Sequence, residues 1–250
     1  MSGHSKWANI KRQKGAADAK RGQLFTKLTR EIIIAARQGG GSLDGNFRLR
    51  LAVQKARDSN MPSDNIERAI KRGTGEGDAS ALTEVRFEGY GPSGIAVLVD
   101  VLTDNRNRTV QDVRRLLTRH GGNLGESGCV SWLFESKGVI TVEGDASDTD
   151  EIVLRAIDAG AEDVTTEKGY VEIYTKPEDL EKVRKAIEEK DHVVSAELSL
   201  RPKTTVILDE NKAVQALNLL DELEALDDVQ QVFSNLDFSD TTLERLRNQS

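Results

Sequence analysis

The 250-residue chain contains a single cysteine, Cys129. An intrachain disulfide is therefore excluded, and so low a cysteine content is typical of reducing compartments. No apolar run reaches the roughly 18 to 20 residues that a bilayer-spanning helix needs, and the N-terminus lacks the apolar core of a signal peptide. We therefore expect a cytoplasmic protein without a membrane segment.

Groups that could carry catalysis or bind a metal are also few. The histidines His4, His120 and His192 lie on different predicted elements, and none has metal-ligand spacing to another or to Cys129. Cys129 opens an apolar segment and is interpreted as a small buried residue rather than a nucleophile. The many carboxylates mostly neighbour Lys or Arg, so the residues present no catalytic constellation.

One glycine motif has a known nucleotide-binding counterpart. GYGPSG, residues 89–94, matches the G-x-G-x-x-G dinucleotide fingerprint, in which the third glycine opens a helix. Here the apolar run IAVLVDVL follows, which is typical of a strand buried on both faces, and Pro92 favours a turn. We predict a hairpin turn and no nucleotide site.

Charge is strongly segregated within a net total of −7. Residues 1–72 hold 16 Lys and Arg against six Asp and Glu, a net charge of +10, whereas residues 73–250 carry a net charge of −17. A basic segment on an acidic body is typical of polyanion-binding modules, although a solvated charged face would give the same pattern. Nucleic acid is the expected partner.

Hydrophobic periodicity predicts a helical bundle in the N-terminal domain, residues 1–78. Helices are expected over residues 16–38, from about residue 46 to 58, and over 63–73, each closed by a glycine or a polar turn. The apolar stripe of the first helix is formed by Leu24, Leu28, Ile32 and Ala35.

The remaining chain predicts two α/β domains. Residues 79–135 hold two strands, a helix and a further strand at CVSWLF, with Val130, Trp132 and Phe134 on one face. Residues 136–202 have the order of a ferredoxin-like domain, with a short extra strand at DVTT. The helix and strand in residues 203–240 cannot form a domain alone, so we expect them to complete the 79–135 unit. The predicted fold is α+β, with an N-terminal helical bundle followed by two α/β (ferredoxin-like) domains, the third inserted in the second.

The first candidate nucleic-acid-binding cluster lies at the N-terminus. On a helix turning about 100° per residue, Lys20, Lys27, Arg30 and Arg37 share one arc beside the apolar stripe, which predicts a basic ridge facing outward. Trp7 either stacks on an unpaired base or anchors the segment to the bundle. The candidate contact residues of this cluster are Lys6, Trp7, Lys11, Arg12, Lys14, Lys20, Arg21, Lys27 and Arg30.

The second candidate cluster is the loop in TDNRNRTVQDVRR. Arg106 and Arg108 precede a predicted helix, whose first amides favour an anion. Asp112 is spaced to pair with Arg108 and Arg115 inside the helix. Phosphate contact and intrahelical pairing are therefore both open for these arginines.

Several long motifs together resemble one family. GHSKWANIKRQKGAADAKRG, NMPSDNIERAIKRGTG, FEGYGPSG, LTDNRNRT and GGNLGESGCVSWLF are similar to the YebC family, whose mitochondrial relatives are called translational activators of cytochrome c oxidase. The likeness is specific up to about residue 135 and looser to about residue 238. The family pattern has a proline where this chain has Phe47.

The resemblance implies three domains, no enzymatic activity and no cofactor. It carries binding roles onto Lys6, Trp7, Lys11, Arg12, Lys14, Lys20 and Arg21, and onto the loop residues 104–108. Bacterial members are described as DNA-binding transcriptional regulators, and other members resemble ribosome-associated translation factors that relieve stalling at proline-rich stretches.

Three function classes are therefore carried forward. The first is a non-enzymatic nucleic-acid-binding regulator, whose target is either DNA or ribosomal RNA. A small-molecule-binding enzyme on the ferredoxin-like domain and a protein-binding scaffold are the alternatives. No dimerisation seam or compact major-groove reader is evident, and an aromatic among basic residues fits irregular RNA slightly better.

Overall fold

The computed structural model describes residues 18–75, 82–144, 149–167 and 169–239, together with Thr242. Contacts divide the chain into two compact units, of which one is Phe134–Lys203 and the other holds the residues up to Leu133 and those from Thr204. None of the helices in this described part combines the length and apolar character that crossing a bilayer demands.

The described residues form α-helices and mostly antiparallel strands, which confirms the α+β class. The helices are α1 (Asp18–Gly39), α2 (Phe47–Asp58), α3 (Ser63–Gly73), α4 (Arg106–Arg119), α5 (Thr149–Ala159), α6 (Leu180–Glu188) and α7 (Glu210–Glu224). The strands are β1 (Thr83–Tyr90), β2 (Ala96–Thr103), β3 (Asn123–Leu124), β4 (Phe134–Glu143), β5 (Asp163–Glu167), β6 (Tyr170–Thr175), β7 (Val193–Pro202), β8 (Val206–Ile207), β9 (Val229–Ser234) and β10 (Leu236–Asp237).

The three N-terminal helices pack around a small apolar core. Leu28, Ile32 and Ala35 of the predicted stripe are buried there, but Leu24 is 37% exposed, so its assignment to the core was wrong. The helix α2 begins at Phe47 because Asn46 caps it, accepting a hydrogen bond from the Leu49 amide at 3.0 Å. A helix start needs no proline when the preceding side chain supplies the cap.

Gly73, the last residue of α3, lies against the backbone of α1. A Cβ at Gly73 would lie 2.5 Å from the Ile33 carbonyl oxygen and 2.6 Å from the Ala36 Cβ. Backbone cannot yield there as a flexible side chain could, so the packing of the two helices requires glycine.

The first sheet has the order β3-β1-β2-β9, and its apolar core contains side chains of α4 and α7. The predicted turn between antiparallel β1 and β2 is confirmed: Gly89 and Tyr90 end β1, and Gly91 to Gly94 form the turn, with Ser93 and Gly94 at positive φ. Central β2 is buried along almost its whole length, as its continuous apolar sequence indicated. β9 pairs with β2, so the C-terminal segment completes this sheet as expected.

The segment around Cys129 does not form the predicted strand. Ser131–Leu133 is a 3₁₀ turn, and Trp132 is 65% exposed while Val130 is fully buried. The physical reason is Glu88, whose carboxylate accepts hydrogen bonds from the amides of Gly128, Val130 and Ser131 at 2.8 to 3.0 Å. Backbone amides that donate hydrogen bonds to a carboxylate cannot also donate to a neighbouring strand.

The same bonds set the charge state of Glu88. Burial raises the pKa of this carboxyl, but the three amide donors outweigh it and the net pKa is lowered. An ionised Glu88 therefore holds the loop in place, and the alternation of apolar residues in CVSWLF reflects a turn rather than a strand.

The unit Phe134–Lys203 has the ferredoxin-like strand order. Its antiparallel sheet runs β5-β6-β4-β7, with α5 following β4 and α6 following β6 along the chain. The extra strand predicted at DVTT is β5. Ile140, Ile173 and Val183 are fully buried, which gives this unit apolar residues of its own on the sheet and on α6.

The helical glycines give a paired stability prediction. We expect Gly73→Ala to lower the free energy of unfolding by about 1 to 3 kcal/mol, because the new methyl group overpacks the α1–α3 contact. Gly22→Ala in α1 is the control, since nothing lies within 4 Å of its added Cβ, and alanine there should stabilise the helix by about 0.5 to 1 kcal/mol. Urea unfolding of both variants, followed by circular dichroism, checks the opposite signs.

Candidate nucleic-acid interface

The structure describes only part of the predicted basic cluster. Lys6, Trp7, Lys11, Arg12 and Lys14 lie outside the described residues, and Lys20 is described only in its backbone. Arg21 is exposed in the first turn of α1, with its guanidinium 5.7 Å from the centre of the Phe25 ring. The basic segment therefore leads directly into α1, close to an aromatic side chain.

The prediction that the basic ridge on α1 faces outward is wrong for Lys27 and Arg30, its central residues. Lys27 donates through Nζ to the Glu224 carbonyl, and Arg30 donates through Nη1 to the Asp227 carbonyl. Arg37, further along, donates to the Leu82 carbonyl at 2.8 Å. These three side chains therefore point towards the turn between α7 and β9 and towards the start of β1. The backbone carbonyls there accept their hydrogen bonds.

Asp228 joins the two predicted clusters. Its carboxylate lies 2.9 Å from Arg30 Nη1 and 2.7 Å from Arg108 Nη2. It also accepts hydrogen bonds from the hydroxyls of Thr109, at 2.6 Å, and Thr103, at 3.2 Å. The side chain is only 9% exposed, so one buried carboxylate holds the start of α4, the end of β2 and the middle of α1 together.

Two arginines compensate the burial of this carboxylate. Burial raises the pKa of Asp228, but hydrogen bonds from Arg108 and Thr109, together with the charges of Arg30 and Arg108, lower it below its ordinary value. The ionised form is consequently the one that the folded protein stabilises.

The pairing predicted for Arg108 was wrong. Asp112 accepts from Arg115 at 3.1 Å, whereas Arg108 pairs with Asp104 at 2.9 Å and with Asp228. Asn105 caps α4 by accepting from the Arg108 amide, so the loop geometry directs the Arg108 side chain towards the sheet end. Arg106, the first residue of α4, is exposed and has no ion-pair partner within the described ranges.

Asp228 and its partners Arg30, Arg108, Thr103 and Thr109 are called the Asp228 junction below. A cleft of about 410 Å³ opens beside it. Phe25, Thr26, Thr29, Arg30 and Ile33 contribute from α1, and the remaining lining residues are Arg72, Leu82 and Asp104. Sequence reasoning missed Arg72, the last basic residue of α3. Arg72 is one of the 16 Lys and Arg residues counted in residues 1–72. Its distance along the sequence from Phe25 and Asp104 gives no sign that the three residues meet.

Two further groups singled out in the sequence concern metals and nucleophiles, and Cys129 is half-buried rather than buried as predicted. Across the described ranges, no group of three or more His, Cys, Asp and Glu side chains is arranged to hold a metal ion. Burial, with the nearby charge of Glu88, raises the pKa of the Cys129 thiol, which disfavours the nucleophilic thiolate.

Comparison with known proteins identifies the family. The profile described as the TACO1/YebC protein N-terminal domain matches residues 5–76, and that of the TACO1/YebC second and third domain matches residues 82–236. Together they span most of the sequence, and the chain belongs to the TACO1/YebC family.

Individual relatives are similar over their full length. A probable transcriptional regulatory protein of Dehalococcoides mccartyi strain CBDB1 is 61% identical over 251 residues, covering 100% of both chains. One from Syntrophus aciditrophicus is 52% identical, covering 98% of this chain and 99% of its own. The crystal structure of a conserved hypothetical protein from Aquifex aeolicus superposes with a TM-score of 0.83 at 48% identity, over 89% of this chain and 93% of that one.

The Asp228 junction gives a prediction for stability and its pH dependence. We expect Asp228→Asn to lower the free energy of unfolding by about 3 kcal/mol at pH 7, since it leaves two arginines without their buried partner. Asp227→Asn is the matched control, because the adjacent side chain is exposed and only its carbonyl contacts Arg30. Chemical unfolding of both variants measures the difference.

The sign of the pH effect follows from the lowered pKa of Asp228. Its contribution is fully present above the ordinary aspartate pKa of about 3.9 and is lost as pH falls through the lower folded-state pKa. The gap between the wild type and Asp228→Asn should therefore shrink as pH falls from about 4 to 2. A constant gap over that range would contradict the assignment.

Proposed function

We propose that this protein is a non-enzymatic, nucleic-acid-binding regulator of gene expression. The observation that carries the proposal is the charge segregation, +10 in residues 1–72 against −17 in the rest. Membership of the TACO1/YebC family, and the regulatory names of the bacterial relatives, support the same class.

The contacts divide the basic residues between two tasks. Lys27, Arg30 and Arg108 hydrogen-bond to acceptors of the protein itself and hold the junction. Arg21, Arg72 and Arg106 are exposed. We assign these three arginines, and the basic residues of the N-terminal segment, to contacts with the phosphate backbone.

Phosphate binding predicts a steep salt dependence. If six to ten phosphate contacts form, affinity should fall by roughly 10³- to 10⁵-fold between about 50 and 200 mM salt, because each contact releases counterions. Filter binding or fluorescence anisotropy across a salt series measures the slope. Salt-independent binding would contradict an interface built on phosphates.

Charge reversal locates the interface. We expect Lys11→Glu, Arg12→Glu and Lys14→Glu together to abolish detectable binding, since three attractions to phosphate become repulsions. The matched control is Lys182→Glu, Lys185→Glu and Lys190→Glu, which makes the same charge change at exposed positions of the ferredoxin-like unit. Equal losses in both triple variants would show that only the net charge matters.

DNA and ribosomal RNA are the two candidate targets. The relatives' names favour transcription and DNA, whereas an aromatic residue beside exposed arginines favours unpaired RNA. Crosslinking in cells, followed by sequencing of the bound nucleic acid, separates them. Enrichment of promoter sequences supports a transcriptional role, and enrichment of ribosomal RNA supports a role in translation.

A further inference from the structure

We propose that the cleft beside α1 binds an unpaired nucleotide, so that the protein prefers single-stranded segments or bulges to continuous duplex. This inference rests on the proposed nucleic-acid-binding function and names the ligand chemistry of a specific recess. The recess lies within one compact unit, between α1, the end of α3 and the ends of β1 and β2 nearest to them.

The size and apolar lining of the cleft suit a nucleobase. Its volume of about 410 Å³ lies within the range of small-ligand sites, roughly 300 to 1,000 Å³. Ile33 is buried, and Phe25 and Leu82 are half-buried, so the lining combines an aromatic ring with two aliphatic side chains. Bases that leave a helix are characteristically bound by stacking on aromatic side chains.

Charge in the cleft favours an anionic ligand. Arg30 and Arg72 line it against one carboxylate, Asp104. Arg30 is already engaged by Asp228, and Asp104 accepts from Arg108. Arg72 is exposed and has no ion-pair partner among the residues that the structure describes, which makes its guanidinium the group available to a phosphate.

Acceptor groups in the cleft suit the edge of a base. The hydroxyls of Thr26 and Thr29 donate to the carbonyls of Gly22 and Phe25, at 3.1 and 2.7 Å, which leaves their oxygens able to accept. Asp104 retains acceptor capacity after its bond to Arg108. Amino and imino groups of a base are the matching donors.

The helix that lines most of the cleft also follows the predicted binding segment in the sequence. The Arg21 guanidinium lies over the Phe25 ring, and α1 begins only a few residues after Lys14. A base in a continuous duplex is stacked and paired, so only an unpaired base can enter.

The test compares single-stranded and duplex probes with the full-length protein. A labelled 12-nucleotide single strand, made as RNA and as DNA, and the matching duplexes are titrated by fluorescence anisotropy. Phe25→Leu removes the aromatic face and keeps the apolar character, and it should weaken single-strand binding about tenfold while leaving duplex binding unchanged. Phe25→Tyr keeps the ring and should retain the single-strand affinity.

A second pair of variants tests the phosphate contact. Arg72→Gln should weaken single-strand binding more than Arg57→Gln, which removes the same charge from an exposed position of α2 that does not line the cleft. Thr26→Leu, at an exposed lining position, narrows the cleft without a charge change and should lower single-strand binding alone. If Phe25→Leu unfolds below the assay temperature, Thr26→Leu is the variant that tests the cleft.

The outcomes separate this inference from the proposed function. If the wild type binds no probe, the nucleic-acid function itself fails. If it binds with a steep salt dependence but the Phe25, Arg72 and Thr26 variants keep the wild-type ratio of single-strand to duplex affinity, the cleft assignment alone is overturned. Loss of that ratio with RNA, with DNA or with both supports the cleft.

Discussion

The buried carboxylate of Asp228 is the interaction on which the arrangement of the larger unit depends. An isolated carboxylate at this depth would cost several kcal/mol in desolvation. Arg30 arrives from the helical part and Arg108 from the start of α4, and both place guanidinium nitrogens within 2.9 Å of it. Three segments distant in the sequence are therefore fixed by one charge.

This junction changes the meaning of the basic N-terminal part. Its charge of +10 suggests a uniformly positive body, but the charge of Arg30 is paired with the carboxylate of Asp228. Lys27 and Arg30 also donate to the backbone carbonyls of Glu224 and Asp227. Exposed charge left for a partner includes Arg21 near the start of α1 and Arg72 at the cleft. The net charge of the segment therefore overstates the number of cations that a partner can reach.

Sequence periodicity was sufficient for most of the fold. The apolar spacing that predicts α1 to α4, α6 and α7 involves residues three and four apart, so it can be recognised from the sequence alone. It failed for CVSWLF, because the groups that occupy the amides of Val130 and Ser131 belong to Glu88, more than 40 residues earlier. Alternation alone does not distinguish such a turn from a strand.

The candidate site was less predictable than the fold, for a related reason. A helical wheel shows that Lys27 and Arg30 share a face, but it cannot show what covers that face. The covering turn lies almost 200 residues away in the sequence. Arg72 entered the site for the same reason: only the folded chain places the end of α3 beside Phe25 and Asp104.

The pairing of β4 with β7 has a consequence for how such a chain can arise. Phe134 lies opposite Pro202 in the sheet, so the polypeptide enters and leaves the ferredoxin-like unit at neighbouring points. Paired residues of antiparallel strands have Cα atoms about 5 Å apart, a gap that a surface turn can bridge. A whole folded unit can therefore occupy the place of a short loop between β3 and β8 at little cost in loop-closure entropy. The discontinuity of the first sheet along the sequence therefore adds little to the entropy that its folding must overcome.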